Sequence, residues 1–234
     1  LLPGDPARLD RIIPFLENVQ EQTFSREYRS LTGEYKGVRI LAMSTGMGGP
    51  STAIAVEELY QSGVRNFLRI GTCGGMATRV KGGDLVIATG AIRMEGTSKE
   101  YVPIEFPAVA NLEITNALVE SAKEFDMTYH TGIVQCKDSF YGQHSPERMP
   151  VGDELLSKWQ AWIKADCLAS EMESATLFIV AQILRARAGC VLNVLWNQER
   201  EKQGLDNPTC ADMTKTIQVC VEAIRRLIRE DKGE

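Results

Sequence analysis

The stretch Val64-Arg-Asn-Phe-Leu-Arg-Ile70, followed at once by Gly71-Thr-Cys-Gly-Gly75, constrains this chain more than any other. Val64, Phe67, Leu68 and Ile70 make a short apolar run of the kind that is buried in a sheet. Three glycines in the next five residues permit φ > 0 and close approach of backbone or ligand, which predicts a turn over Gly71–Gly75 in place of a continued strand. Arg69 is out of character in such a run, because a buried guanidinium is costly unless an anionic group meets it. In open α/β sheets, ligands gather beyond the carboxyl ends of the strands. Arg69, Thr72 and the Gly71–Gly75 amides therefore read either as an anion site or as a tight turn whose arginine pairs with a structural carboxylate.

The rest of the chain has room for the sheet this implies. Its 234 residues suffice for one large α/β domain. No linker-like segment, internal repeat or long charge run divides them, so a single domain over 1–234 is expected. A net charge of −5 argues against a nucleic-acid surface. No apolar run is long enough for a bilayer and no secretory pattern appears, which predicts a cytoplasmic protein with no membrane partner. Leu1 in place of Met implies that residues precede it. The six cysteines (73, 136, 167, 190, 210 and 220) are scattered without a C-x-x-C pair and read as reduced thiols, not as a disulfide frame or zinc site. With only His130 and His144 available, a histidine metal centre is not expected.

Asp5-Pro6 can open a helix with Asp as N-cap and Pro at the first position, and Arg8–Leu16 continues with helical spacing. The helix start beside Gly4 and Arg8 suits an anion, though an ordinary capped surface helix reads the same way. Phe24–Arg29 and Val38–Met43 read as strands, joined by a hairpin turn over Gly33–Gly37. The glycine loop Ser44–Thr52, a helix over Ala53–Tyr60 and the strand ending at Ile70 complete a βαβ unit. That loop is neither G-x-G-x-x-G nor a P-loop. Further strands are predicted at Gly83–Arg93, Tyr129–Cys136, Cys167–Ser170 and Gly189–Trp196, and helices at about 111–126, Leu155–Ile163, Ser170–Leu184 and Met213–Arg229. Lys137–Arg148 is polar, aromatic and loop-like after a strand, where loops often carry function. Ser170-x-x-Glu173 fits a capping box, in which Glu173 would merely close a helix end. The alternation of strands and helices gives an α/β fold with a mostly parallel or mixed sheet.

Five motifs then occur in order over nearly the whole chain: Pro3-Gly-Asp-Pro-x-Arg8, Ser44-Thr-Gly-Met-Gly-Gly-Pro-Ser-Thr52, Leu68-Arg-Ile-Gly-Thr72, Phe106-Pro-Ala-Val-Ala110 and Glu171-Met-Glu-Ser174. Together they resemble the nucleoside phosphorylase family, whose members include uridine phosphorylase and hexameric purine nucleoside phosphorylase. The Asp138-Ser-Phe-Tyr-Gly-Gln143 loop and Phe106–Ala110 are more similar to the uridine enzymes. The resemblance implies a single domain whose central mixed β-sheet is partly closed into a barrel and flanked by helices. It also implies a homodimer or homohexamer with active sites shared between subunits, and a histidine upstream of the first motif.

Carried over residue by residue, the resemblance implies a phosphate site of Gly4, Arg8, Arg69 and Thr72, completed by Arg26 of a neighbouring subunit. Met172 and Glu173, with Thr72, correspond to the ribose site, and Glu171 to supporting structure. Phe140 corresponds to an aromatic wall, and Gln143 and Arg148 to contacts with uracil. In the pattern of the family the Gln and Arg stand two residues apart, whereas here His144-Ser-Pro-Glu147 separates them. His144 reads as a residue that shapes the pocket. Gln198 stands where the uridine enzymes often have an arginine that supports the uracil loop, so that support is missing from the sequence. Some relatives bind potassium at the dimer interface, and Glu27 and Ser51 match two of the positions. No other cofactor is implied, because phosphate is itself a co-substrate.

The implied activity is reversible phosphorolysis of uridine to uracil and ribose 1-phosphate, with Arg69, Gln143 and Arg148 as the catalytic set. Hexameric purine enzymes place an Asp after the last core strand, where this chain has Leu195-Trp-Asn-Gln198. Purine specificity, a nucleosidase that uses water, and a nucleoside sensor without turnover are the competing readings.

Overall fold

The apolar runs around Leu68, Ile87 and Val191 send successive side chains to opposite sides of one sheet. Phe67, Val86, Cys190 and Leu192 join a buried layer with Val56 and Phe178. Leu68, Ile87 and Val191 join a second layer with Leu118 and Ile217. Each fully buried side chain of this size contributes about 1.5–3 kcal/mol over exposure, so both faces of the sheet must be covered by helices.

The computed structural model describes residues 1–233. In chain order the elements are β1 (Leu2–Pro3), α1 (Arg8–Ile12), β2 (Glu17–Ser25), β3 (Tyr28–Tyr35), β4 (Val38–Met43), α2 (Gly49–Gln61), β5 (Asn66–Gly75), β6 (Leu85–Met94), α3 (Thr97–Tyr101), β7 (Ala108–Val109), α4 (Leu112–Glu124), β8 (Tyr129–Lys137), α5 (Phe140–His144), α6 (Gly152–Lys164), β9 (Ala169–Glu171), α7 (Ser174–Ile183), β10 (Arg187–Asn197), α8 (Gln198–Lys202) and α9 (Thr214–Lys232). β5 lies parallel to both β1 and β10. β6 runs antiparallel to β10 and parallel to β8, and β8 runs parallel to β9. β9 returns to β5 through Gly74–Ser170 and Gly75–Ala169, which closes β5, β10, β6, β8 and β9 into a barrel. The mixed, partly closed sheet implied by the resemblance is thus present.

The structure revises several local expectations. Gly71–Gly75 is not a turn, because β5 continues through all five residues beside β10. None of its three glycines has positive φ. They serve close packing instead: a Cβ on Gly71 would lie 2.8 Å from Leu192, and one on Gly75 would lie 2.7 Å from Asn197. α1 begins at Arg8, and Asp5 is not its N-cap; the Asp5 carboxylate accepts from the Ala7 N–H in the turn before the helix. Phe24–Arg29 is not one strand, since Arg26 at φ 55° turns the chain between β2 and β3. Gly33 lies within β3, and the β3–β4 turn is at Lys36–Gly37. The predicted βαβ unit closes around an intervening strand: β4 bonds to β1 (Leu1 N to Leu41 O, 2.7 Å; Met43 N to Leu1 O, 2.9 Å), and β1 pairs with β5. Lys137–Arg148, read as a loop, contains α5 and a 3-10 turn at Pro146–Arg148. α7 starts at Ser174, four residues later than expected.

That last shift decides what Glu173 can do. The capping box does not form. Ser170 instead donates from its hydroxyl toward Gln135 and Gln143. The carboxylate of Glu171 accepts from the N–H groups of Glu173 and Ser174, at 2.9 and 3.0 Å, and so holds the start of α7. Glu171 is the supporting residue, as expected, and Glu173 is left to serve elsewhere.

Candidate active site

Beyond the carboxyl ends of β1, β5 and β9 lies a chamber of about 760 Å³. Gly4 and Arg8 line it from the β1–α1 segment, Gly46 and Met47 from the glycine loop, and Arg69 and Thr72 from β5. Lys137, Phe140, Gln143 and His144 come from the end of β8 and from α5; Glu171, Met172 and Glu173 come from the β9–α7 junction; Leu195 and Trp196 come from β10. Thus Gly4, Arg8, Arg69, Thr72, Phe140, Gln143, Met172 and Glu173, drawn from four separate motifs, meet in one place. Glu27 also reaches the chamber.

One end is built for an anion. Arg69 is only 4% exposed and pairs with Glu173 through Nη2, while its Nε lies 3.5 Å from Glu171. Burial opposes its charge, but Glu173 and then Glu171 outweigh that and raise its pKa. Both readings of Arg69 are therefore present together: it has carboxylate partners, yet its Nη1 and Nε make no hydrogen bond. A buried donor left unsatisfied costs about 1–3 kcal/mol, more when charged, so it is suited to a ligand that supplies acceptors. Arg8 donates from Nη2 to Thr72 Oγ1 at 3.2 Å, which ties the start of α1 to β5. Burial, and then the nearby Arg69 charge, lower the Arg8 pKa. Two guanidiniums this near each other favour a multiply charged guest with forked acceptors.

Glu173 stands between this end and the next. Its Oε1 accepts from Gly48 N at 2.7 Å, at the start of α2, and its Oε2 faces Arg69. Burial raises its pKa against the opposing pull of Arg69. Each carboxylate oxygen retains a further lone pair for hydroxyl donors.

The far end is assembled around Gln143. Its Oε1 accepts from Ser170 and its Nε2 donates to Gln198 Oε1, at 2.8 and 2.9 Å. An amide has two acceptor sites and two donors, so one of each remains for a ligand edge that carries both. Gln198 is therefore a support in its own right, and the missing arginine leaves no gap there. Phe140 is 51% exposed, and its ring packs 4.3 Å from that of His144, centroid to centroid. The His144 ring in turn lies 6.0 Å from that of Trp196. Burial, then Lys137, lowers the His144 pKa, which suits a neutral ring that shapes the wall.

Two placements differ from the expectation. Arg148 does not line the chamber; it is exposed, with its guanidinium 5.1 Å from the centre of the Tyr141 ring. Residues 144–147 carry it past the rim in the 3-10 turn. Lys137, by contrast, was not expected. It is buried, lines the chamber and donates to Ser170 Oγ at 2.6 Å, the hydroxyl that also faces Gln143. Burial lowers its pKa, with Glu171 opposing. Its position one step beyond the apolar run of β8 was the available signal: a lysine at a strand end next to the loop. Arg26 is exposed on the β2–β3 turn and does not line the chamber of its own chain. Glu27 and Ser51 are joined by a 2.9 Å hydrogen bond.

Among the described residues, no group of three or more His, Cys, Asp or Glu side chains is disposed to hold a metal ion. No helix there is long and apolar enough to cross a membrane. The family model of the phosphorylase superfamily matches residues 1–230. A uridine phosphorylase of Treponema pallidum is 50% identical over 231 residues, which cover 99% of this chain and 90% of that protein. A uridine phosphorylase of Thermococcus kodakarensis is 45% identical over 206 residues, covering 87% and 74%. A guanosine phosphorylase of Halorubrum lacusprofundi is 40% identical over 194 residues, covering 83% and 76%.

Proposed function

This chain belongs to the phosphorylase superfamily, and from that premise we propose that it catalyses the reversible phosphorolysis of uridine to uracil and ribose 1-phosphate, as a pentosyltransferase of nucleoside salvage. The observation that carries the reading is Arg69, buried between Glu173 and a chamber it shares with Arg8, with a guanidinium nitrogen left for an anion.

Phosphate lies against Arg8, Arg69, Thr72 and the Gly4 backbone. Arg26 from a neighbouring copy completes this site. Arg26 is exposed on the β2–β3 turn and does not line the chamber of its own chain, which leaves it available to a neighbouring one. That reading requires a dimer, either alone or within a hexamer. Met172, Thr72 and Glu173 hold the ribose, with the Glu173 carboxylate accepting from the 2′- and 3′-hydroxyls. Phe140 covers the base. Gln143 offers one donor and one acceptor to the O2/N3 edge of uracil, and Lys137 places a cation beside the same amide through Ser170. Glu27, which lines the chamber, and Ser51, bonded to it, offer hard oxygen donors, which suits a structural potassium ion that takes no part in the chemistry.

The mechanism needs no nucleophilic side chain. The C1′–N1 bond lengthens first and the sugar gains oxocarbenium character. The phosphate dianion stabilises that charge and attacks C1′ from the face opposite the base. The electron pair of the broken bond departs on uracil, where Gln143 and Lys137 stabilise it. Catalysis is then chiefly positioning and preorganised electrostatics.

A purine reading is favoured by one observation, the similarity to a guanosine phosphorylase. Against it, Asn197 has no free group for a base: its Oδ1 caps α8 and its Nδ2 donates to Ala77 O and Val80 O. Release of free base from uridine and from guanosine, each with and without phosphate, separates the readings. Phosphate-dependent uracil with little guanine is expected. Uracil release that ignores phosphate would mean a hydrolase, and preferred release of guanine would mean a purine enzyme.

A further inference from the structure

Glu173 is held by protein donors through both of its carboxylate oxygens. Its Oε2 is paired with Arg69 Nη2, the nitrogen beside the unpartnered Nη1 at the anion end. Its Oε1 accepts from Gly48 N at 2.7 Å. Ribose hydroxyls therefore share this carboxylate with a buried ion pair that draws on its charge and fixes its position. Glu171 cannot take over Arg69, because its oxygens are held by Glu173 N, Ser174 N and the Ser174 hydroxyl, and its nearest approach to Arg69 is 3.5 Å. Arg69 thus has one strong protein partner, and that partner is the ribose ligand.

We propose that the Arg69–Glu173 pair couples the two subsites, so that an anion bound at Arg69 draws the guanidinium away from Glu173 and frees that carboxylate for the ribose diol. Phosphate then tightens nucleoside binding without touching the nucleoside, and the nucleoside tightens phosphate by the same factor, since coupling in binding is reciprocal. The pair acts as the two-position element that both ligands bias. Lys137 and Arg8 do not substitute for it, because Lys137 is bonded to Ser170 and Arg8 to Thr72. This inference rests on the reading of the chamber as a phosphate and nucleoside site.

The test uses inorganic sulfate, an unreactive tetrahedral dianion, with uridine and the full chain, so that no turnover occurs. Uridine is titrated calorimetrically at rising sulfate, with ionic strength held constant by chloride. The uridine Kd is expected to fall about fivefold or more at saturating sulfate, the lower range of measured couplings. In Glu173→Gln, which has no ion pair to release, sulfate should change the uridine Kd less than twofold, and sulfate alone should bind more tightly than to the wild type. Sulfate and uridine that both bind the wild type, with Kd values independent of each other, would overturn the coupling and leave the phosphorolysis reading standing. The same outcome follows if Glu173→Gln keeps the full wild-type factor. Failure of uridine and sulfate to bind the wild type at all would overturn the site assignment, and the coupling with it.

Discussion

The two ends of the chamber are built differently. The anion end is carried by β5 and the start of α1: Arg8 at the head of α1 is bonded to Thr72 on β5, and Arg69 on β5 is 4% exposed between two carboxylates. The base end rests on α5, a helix of five residues whose Phe140 and Tyr141 are 51% and 59% exposed, followed by a 3-10 turn that leads Arg148 outward. Groups on a closed barrel hold their geometry without help, whereas groups on a short exposed helix depend on cross-links to the barrel. Gln143 has two such links, to Ser170 on β9 and to Gln198 on α8. On the proposed reading, a shared chemistry, phosphate attack on a ribose, is fixed in the rigid part, and the choice of base is left to the part that can be rebuilt with few substitutions.

The sharpest way to break this comparison is at Arg69. Arg69→Ala should lower kcat/KM by about 10²–10³-fold, judged from the loss of one preorganised donor. It should also cost roughly 3–5 kcal/mol of stability by leaving buried carboxylates unpaired. Steady-state kinetics at saturating phosphate and a thermal melt measure both; wild-type turnover would remove Arg69 from the mechanism. Glu173→Gln comes next, with kcat/KM for uridine down about 10–100-fold, because a hydrogen bond to a charged acceptor contributes roughly 1.5–3 kcal/mol. The same variant should discriminate less between uridine and 2′,3′-dideoxyuridine than the wild type does.

Lys137 sharpens the comparison through pH. Its pKa lies below the ordinary 10.5, so the protonated, donating form declines earlier as pH rises. The kcat/KM profile should therefore have an alkaline limb below 10.5 that is absent in Lys137→Met, whose rate is lower throughout. The sign for stability follows from the same shift. Between the lowered pKa and 10.5 the unfolded chain binds more protons, so this residue makes the fold more stable as pH rises through that window. A limb that survives in Lys137→Met belongs to another group.

Smaller effects are expected where the base end is merely braced. Gln198→Ala should raise KM for uridine about fivefold, the equivalent of one hydrogen bond, and leave KM for phosphate unchanged. Equal effects on both substrates would erase the distinction between the ends. Arg148→Ala should change kcat/KM by about twofold or less, as for a surface substitution. A larger loss would mean that residues 146–148 fold inward over the substrate.

The same division explains what could be read in the sequence. Arg69 and Thr72 stood out because an arginine and a glycine-rich run are unusual for a buried strand; Glu173 read locally as a helix cap, and only the resemblance pointed it to the ribose. The role of the glycines in β5 did not stand out, because glycine serves a turn and a tight packing contact equally well, and only the neighbours Leu192 and Asn197 distinguish them. β2 was missed because most of its side chains are exposed and it lacks an apolar alternation. Closure of the barrel depends on the short β9 meeting Gly74 and Gly75, a pairing of residues about a hundred positions apart that no local pattern records. At the base end, Lys137 and Gln198 act through side-chain bonds to Ser170 and Gln143, and Arg148 is displaced by a local turn. Spacing alone carries none of that.

The most direct test of the central claim is to follow phosphorus. A ³¹P NMR spectrum of enzyme, uridine and inorganic phosphate should show ribose 1-phosphate appearing in step with uracil, one for one, as the phosphate resonance declines. Uracil accumulating while the phosphate resonance stays constant would contradict the account, because the anion held at Arg8 and Arg69 would then not be the nucleophile.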